Sequence, residues 1–311
     1  MPTIAFLTTA PYQLHHYAAI SRHLDPNDVT YVIERREADF ALGVSEVEAL
    51  APGVHIAETT YGSLLEIDGR YDIIVCQTPV FPNRLPTKSV VVAQQYSLAK
   101  TAYQLGIWRS LCSLNLMYGP HSADRVGGFC AATAVGNPLF DGRSQLADAD
   151  VDAPGLYLPT HGSLSPMSET LSRLAEIDAK FVVKLHHVTA AERPGPLPSN
   201  CVFASSARNP IDLIADSSFV ISDSSGAAYD AFAARRPLIL ASKPDPNAED
   251  FHRLGPDERT HSPLDGCAAD WVPGRPLADA LSEAIELATQ PGAHEQFVDR
   301  YYSNFGHAGS S

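Results

Sequence analysis

The most constraining feature of this sequence is the stretch 219–240, which predicts a complete βαβ unit. Its apolar start at 219–221 is typical of a short buried strand, and Pro237 opens the next apolar run. The Ala-rich segment between them favours a helix that begins at the turn Ser222-Asp223-Ser224-Ser225-Gly226. Backbone N–H groups, the helix dipole and small hydroxyls converge at such a turn, which suits a phosphate or diphosphate. A helix N-cap without any ligand explains the same residues, so the choice between a phosphate site and a simple cap depends on the rest of the chain.

Strand and helix signals alternate along the first part of the chain. Apolar runs predict strands at 3–7, 28–33, 71–76, 89–93, 114–118 and 132–135, with helices at 15–24 and 100–112. Strands that are apolar on both faces belong to parallel sheets covered by helices on both sides. The first part is therefore expected to be a Rossmann-like domain over 1–145.

A second alternation follows a stretch at 139–154 that is interrupted by aspartates and is interpreted as a linker. Strands are predicted at 155–159, 180–185, 200–203, 219–221, 238–240 and 268–272, with helices at 165–177, 209–215 and 276–289. This pattern predicts a second Rossmann-like domain over 150–290. A C-terminal helix and tail occupy 291–311, and packing of this tail against the first domain is one arrangement open to it.

Polar clusters stand where the predicted strands end. They lie at 8–16, 77–79, 94–97, 159–163, 186–187 and 222–226. Ligands of parallel α/β sheets bind outside the carboxyl ends of the strands, and two joined domains of this kind form a cleft. The expected fold class is therefore α/β, with two Rossmann-like domains whose parallel sheets face a central cleft.

Composition excludes several classes of partner. The 311 residues include 36 acidic and 22 basic side chains, and the formal charge is −14, so the surface should repel nucleic acid. No apolar run approaches the ~18 residues of a membrane span, although peripheral attachment to a membrane remains open. We therefore expect no nucleic-acid partner; the cysteine usage described next indicates the cytoplasm.

Cysteine and aspartate spacing argues against a disulfide framework and a metal site. The cysteines are odd in number and scattered, with no C-x-x-C pair: Cys76, Cys112, Cys130, Cys201 and Cys267. The Asp148-Ala149-Asp150 triplet lies in the linker, whereas a metal-binding Asp-x-Asp is expected at a strand end. No metal and no cofactor are predicted.

A series of short elements between 135 and 240 follows the order of a known family. They are Val135-Gly136-Asn137-Pro138-Leu139-Phe140-Asp141, Leu158-Pro159-Thr160-His161, Lys184-Leu185-His186-His187, Ile221-Ser222-Asp223-Ser224-Ser225, Tyr229-Asp230 and Arg236-Pro237. Together they resemble the CDP-glycerol glycerophosphotransferases, which build teichoic acid and related capsule polymers on a two-domain GT-B fold. The resemblance implies that the second domain binds a CDP- or UDP-activated small-molecule donor and that the first binds a polymer or lipid-linked acceptor.

Candidate donor-site residues follow from these elements. Those expected to bind the nucleotide or its phosphates are Thr160, His161, Ser222, Asp223, Ser224, Ser225, Gly226 and Asp230. His186 is the candidate catalytic residue, since a strand-end imidazole can hydrogen-bond a phosphate oxygen or, if protonated, neutralise it. Asp223 would repel a phosphate directly, so we expect it to orient His186 or to cap the helix. Asp230 can accept ribose hydroxyls, although an exposed helix-face carboxylate explains it equally.

The acceptor-activating base is not where the resemblance places it. The family's Trp-His-Gly-Thr-Pro-x-Lys element falls at 94–100, where only Lys100 agrees. Glutamine and a tyrosine of pKa ~10 are poor bases at neutral pH, whereas an imidazole of pKa ~6.5 is suitable. His15 and His16, which follow the first predicted strand, are therefore the candidate bases. The alternative is that one of them only begins an exposed helix.

These observations predict an enzyme that transfers a sugar or polyol phosphate from a CDP- or UDP-activated donor during cell-surface polymer synthesis. Such an enzyme would work in the cytoplasm, at the inner face of the membrane. A UDP-N-acetylglucosamine 2-epimerase type is an alternative, because Ser224-Ser225-Gly226 also resembles that family's phosphate site; the usual Gly-Gly-x-x-Glu continuation is replaced by Ala227-Ala228-Tyr229-Asp230. A non-catalytic nucleotide-binding or scaffold protein is the third reading.

Overall fold

The chain forms two compact units. The computed structural model describes residues 1–35, 44–60, 64–143, 150–186, 189, 195–205, 208–241, 243–260 and 262–311. The first unit comprises Met1–Tyr96, Leu105–Ser144 and Asp299–Ser311, and the second comprises Ser97–Gln104 and Gln145–Val298. The core of the predicted linker, 144–149, and His187 of the predicted strand-end pair lie outside the described residues.

Each unit is built on one parallel β-sheet. The strands of the first are β1 (Ile4–Thr8), β2 (Val29–Arg35), β3 (His55–Thr60), β4 (Ile73–Cys76), β5 (Val90–Gln94), β6 (Leu114–Met117) and β7 (Ala132–Ala134), in the order β3-β2-β1-β4-β5-β6-β7. Those of the second are β8 (Gly155–Leu158), β9 (Phe181–Val183), β10 (Cys201–Phe203), β11 (Val220–Ser222), β12 (Leu238–Leu240) and β13 (Ala269–Asp270), in the order β10-β9-β8-β11-β12-β13. The strand order reverses between β1 and β4 and between β8 and β11, and ligands of α/β sheets bind at such switch points.

Helices cover the sheets through apolar faces. The described helices are α1 (Pro11–Ser21), α2 (Val44–Leu50), α3 (Leu64–Ile67), α4 (Thr101–Gln104), α5 (Pro120–Gly127), α6 (Met167–Leu174), α7 (Pro210–Ala215), α8 (Gly226–Ala233), α9 (Leu277–Thr289) and α10 (Ala293–Tyr301). In the first unit, Tyr17 of α1 packs with Tyr31 of β2 in one core. In the second, Leu174 of α6 and Ala280 of α9 pack on Tyr157 of β8. None of the described helices is both long and apolar enough to cross a lipid bilayer.

The sequence predicted one helix over 100–112, and this prediction is wrong. The structure instead has the single turn α4 and, beyond Gly106, a 3₁₀ segment at Ile107–Leu111. The two pieces belong to different units. The backbone N–H group of Thr101 donates to the distant Glu258 carboxylate at 2.6 Å, so a tertiary contact starts the short helix where helical periodicity alone predicted a longer one.

Strand β3 and helix α2 were not predicted from the sequence. β3 lies at the edge of its sheet and reads His-Ile-Ala-Glu-Thr-Thr, with one of its side chains, Thr59, buried. A strand that buries so little lacks the continuous apolar run that identifies the central strands of a parallel sheet.

The C-terminal segment is held on the first unit by the turn after β7. The Asp141 carboxylate accepts the backbone N–H groups of Ala308 and Gly309 at 2.7 and 2.8 Å. Gly136 in the same turn has φ +105°, and a Cβ there would meet the Ser303 carbonyl oxygen. The Gly-x-Pro-x-x-Asp pattern at 136–141 therefore serves to dock the tail.

We predict that Gly136→Ala destabilises the protein more than Gly142→Ala. Both glycines have positive φ, +105° and +75°, so each substitution incurs backbone strain of about 1–2 kcal/mol. An added Cβ at Gly142 meets nothing within 4 Å, whereas one at Gly136 also lies 2.7 Å from the Ala308 Cβ. We expect an additional loss of about 1–3 kcal/mol for Gly136→Ala, measured by chemical unfolding. Equal losses for the two variants would show that the tail does not pack tightly on this turn.

Candidate functional site

A buried carboxylate ties the ends of two neighbouring strands at the switch point of the second sheet. Asp223 follows β11, Thr160 follows β8, and both Asp223 oxygens accept the Thr160 N–H, at 2.9 and 3.0 Å. One residue earlier, the Ser222 hydroxyl donates to the Leu158 carbonyl at 2.9 Å. The turns after β8 and β11 are therefore held side by side at the carboxyl edge of the sheet.

The Asp223 carboxylate makes a contact that the sequence did not predict. It accepts the Thr160 N–H, and the N-cap of the following helix is Ser225. Burial raises the pKa of Asp223 to about 7, while the Thr160 hydrogen bond and the charge of Lys100 act in the opposite direction. Asp223 is only 1% exposed, so its carboxyl supports the site from the protein interior.

The two predicted imidazoles of the second unit lie face to face. The rings of His161 and His186 are stacked, with centroids 4.0 Å apart and planes at 23°. The Lys100 Nζ lies 3.5 Å from the His161 Nδ1, so the ammonium is the donor and the His161 Nε2 carries the ring proton. Burial and then the Lys100 charge lower the pKa of His161 to about 4. His161 is therefore a neutral hydrogen-bond donor at physiological pH.

Lys100 reaches this position on a segment held by Glu258. The Glu258 carboxylate is buried and accepts hydrogen bonds from the backbone N–H groups of Lys100, Thr101 and Gly255 and from the Thr101 hydroxyl. At the other end of the segment, a Cβ on Gly226 would meet the Ser97 hydroxyl. The segment Ser97–Gln104, which we call the strap, thus packs beside the start of α8.

The turn that opens α8 contains both a cap and a recess. Ser225 is the N-cap, and its hydroxyl oxygen accepts the Ala227 N–H at 3.3 Å. Half-buried Ser224 and Ser225 line a small recess with Tyr229 of α8 and Ala99 of the strap. The interpretation of Ser225 as a helix N-cap is therefore correct.

Asp230 is half-buried in α8, beyond this first turn.

Of the two predicted bases in the first unit, His16 is fully engaged within the protein. Its Nδ1 lies 3.1 Å from the Tyr12 carbonyl oxygen and must carry the proton, so the Nε2, 2.7 Å from the Tyr118 hydroxyl, accepts. Burial lowers the pKa of His16 to about 4. His15, on the same helix, is half-buried. The geometry argues against His16 as the base.

Lys100 and Glu258 are not among the site residues predicted from the sequence. The sequence does single out Lys100, because it is the one residue at 94–100 that agrees with the element of the resembled family. Glu258 lies in a Pro- and Asp-rich stretch in which no pattern singles it out. Over the described ranges, no three His, Cys, Asp or Glu side chains come together as a metal-binding group. Metal independence stays a prediction.

Comparisons with solved structures establish the fold. The chain is similar to the wall teichoic acid polymerase TagF, with 12% identity, 99% of this chain and 87% of that chain covered, and a TM-score of 0.63. It is also similar to MnaA of S. aureus in a co-structure with UDP, with 12% identity, coverage of 100% and 94%, and a TM-score of 0.61. A putative UDP-N-acetylglucosamine 2-epimerase from Listeria monocytogenes matches at 14% identity, coverage of 99% and 94%, and a TM-score of 0.56. The expected pair of parallel α/β domains of the GT-B class is confirmed.

Sequence comparisons add no family assignment. No protein-family model matches the chain, and no curated protein matches it.

We predict that Asp223→Asn flattens the pH dependence of stability. The Asp223 pKa is raised from 3.8 to about 7 on folding, so the folded protein holds a proton that the unfolded chain releases in this window. Stability contributed by this group therefore falls as pH rises from 3.8 to about 7. Asparagine keeps an oxygen for the Thr160 N–H and removes the titration. Urea unfolding across this range should show a smaller decline for the variant, and an unchanged decline would contradict the assignment.

Proposed function

We propose that this protein is a GT-B transferase that moves a polyol phosphate or sugar from a CDP- or UDP-activated donor to an acceptor hydroxyl. The acceptor is a cell-surface polymer or its lipid-linked precursor, and the reaction takes place in the cytoplasm at the inner face of the membrane. The second unit binds the donor and the first unit binds the acceptor.

The observation that carries this proposal is the convergence of three donor groups at the switch point of the second sheet. The stacked His161 and His186 and the Lys100 ammonium lie at its carboxyl edge. Helix α8 begins beside the same turn, and a helix N-terminus favours anions. Such a set of donors is suited to a nucleotide's phosphates. TagF and the UDP-bound MnaA structure support the proposal through their shared fold.

The chemistry requires stabilisation of the leaving nucleotide. The acceptor oxygen bonds to the donor's phosphorus or anomeric carbon, while the bond from that atom to the leaving phosphate oxygen breaks. The hydroxyl proton passes to a base, and negative charge collects on the leaving nucleotide. In this proposal, His186 and the His161 Nε2–H donate to that oxygen. Ser224 and the Gly226 backbone would contact a neighbouring phosphate oxygen.

The base in this proposal is His15. His15 lies in α1, the helix that follows β1 and begins at the carboxyl edge of the first sheet. His16 is the less suitable candidate because both of its ring nitrogens have protein partners.

The test is incubation of the protein and a lipid-linked acceptor with radiolabelled CDP-glycerol, CDP-ribitol and UDP-sugars, scored for release of CMP or UDP. We expect release from one of these donors and at least tenfold less from His186→Ala, since a strand-end donor acts on the leaving group more than on the core. Exposed His252 of the same unit provides the control, and His252→Ala should behave as wild type.

Three outcomes would change the proposal. Epimerisation of UDP-N-acetylglucosamine without an acceptor would favour the epimerase reading, which the similarity to MnaA supports. Nucleotide binding without release from any donor would favour a non-catalytic binding protein. Early thermal unfolding of His186→Ala would assign that histidine a structural role.

His15→Ala and His16→Ala are predicted to impair different properties, the first transfer and the second stability. His15→Ala should abolish transfer to the acceptor while leaving nucleotide affinity unchanged, because the donor is bound by the second unit. His16→Ala removes the buried hydrogen bond between His16 and the Tyr118 hydroxyl and should lower the free energy of unfolding by about 1–3 kcal/mol. Transfer kinetics and denaturant unfolding of both variants separate these effects. Wild-type transfer by His15→Ala would place the base elsewhere.

A further inference from the structure

The strap occupies an unusual place in the chain. Residues before and after it belong to the first unit, whereas Ser97–Gln104 itself belongs to the second. Lys100 has φ +60°, a conformation that is unfavourable for a non-glycine residue and persists only where the surroundings impose it. Glu258 provides that constraint through its hydrogen bonds to Lys100 and Thr101.

Charged and titratable groups from several elements surround the Lys100 amine. They are His161 after β8, Asp223 after β11, Asp250 and Arg253 of the 3₁₀ segment Glu249–Arg253, and Glu258. Arg253 pairs with Asp250, with Nε and Oδ1 3.1 Å apart, and Asp223 and Glu258 accept hydrogen bonds from the backbone. Lys100, by contrast, is directed at a neutral imidazole.

We infer that Lys100 is the cation that binds the diphosphate of the donor, and that Glu258 is the positioning residue that holds it at the site. This inference rests on the proposed function for the identity of the ligand and adds to it the source of the positive charge. Neither imidazole is needed as a cation. The ammonium donates both to the His161 Nδ1 and to a phosphate oxygen, and it orients the His161 Nε2–H at the same time.

The Lys100 ammonium loses its proton closer to neutral pH than an exposed lysine does. Burial, followed by the charge of Arg253, lowers its pKa to about 8, while the three carboxylates act in the opposite direction. His161, with a pKa lowered to about 4, stays neutral throughout this range. The positive charge available to a phosphate should therefore disappear as pH rises through about 8.

The first test is calorimetric titration with CDP and with UDP. Lys100→Met should lower affinity for the nucleotide that the wild type binds by about tenfold or more, the usual loss for a charge-assisted contact. Exposed Lys243, whose Nζ lies 3.4 Å from Asp270, is the matched control, and Lys243→Met should bind as wild type. Affinity unchanged in Lys100→Met would overturn the inference.

The second test uses pH, which a purely structural lysine would not affect. The terminal phosphate of a nucleoside diphosphate is fully ionised above about pH 7.5, because its second pKa is about 6. Wild-type affinity should nevertheless fall between about pH 7.5 and 9.5, as Lys100 loses its proton. Lys100→Arg keeps its charge and should show no such fall. The same fall in both proteins would assign the titration to another group.

The third test separates positioning from general stability. Glu258→Gln should weaken nucleotide binding in the wild-type background and cause no further loss in Lys100→Met, because Glu258 acts through Lys100. Its effect on the thermal midpoint should be the same in both backgrounds. An equal fold-loss of affinity in the two backgrounds would overturn the positioning role.

Failure of this inference and failure of the proposed function give different results. Nucleotide affinity that is unchanged in Lys100→Met overturns the inference and leaves the transferase proposal standing. Lys100-dependent binding without release from any donor supports the inference and overturns transfer. A wild-type protein that binds neither CDP nor UDP overturns both.

Discussion

The hydrogen bond between the Asp223 carboxylate and the Thr160 N–H is the contact on which the rest of the site depends. It joins the ends of β8 and β11, where the strand order of the second sheet reverses. His161 follows Thr160 directly, and α8 begins three residues after Asp223. A single buried acceptor thereby sets the distance between a histidine-bearing turn and a helix N-terminus. Such a carboxylate is costly to bury, which is reflected in its raised pKa.

The same device recurs at two other places in the chain. Asp141 binds the backbone of the tail at Ala308 and Gly309, and Glu258 binds the backbone of the strap. In each case a carboxylate satisfies N–H groups of a segment remote in sequence that has no sheet partner there. These buried acids therefore organise chain segments. In a protein of formal charge −14, the carboxylates nearest Lys100 are held by backbone N–H groups, as Asp223 and Glu258 are, or by Arg253, as Asp250 is.

Secondary-structure prediction succeeded for strands whose two faces are both buried. It failed for an edge strand and for a helix whose start depends on a contact remote in sequence. The central strands β4, β5 and β11 are continuous apolar runs because both faces of their sheets are covered. Edge strand β3 buries too little to show such a run. The predicted helix at 100–112 is divided because Glu258, more than 150 positions away, binds its first turn. Periodicity within a window cannot detect that contact.

The sequence by itself determined the class of fold and the carboxyl-edge positions of Thr160, His161, His186 and the Ser224–Gly226 turn, since strand ends and tight turns are encoded by neighbouring residues. Tertiary structure decided which side chains meet there. It turned Asp223 towards Thr160, stacked His161 on His186, buried His16 against Tyr118, and brought Lys100 in on a strap held by Glu258. These pairings depend on how separate strands and loops pack in three dimensions, and their partners lie tens to more than a hundred residues apart in the chain.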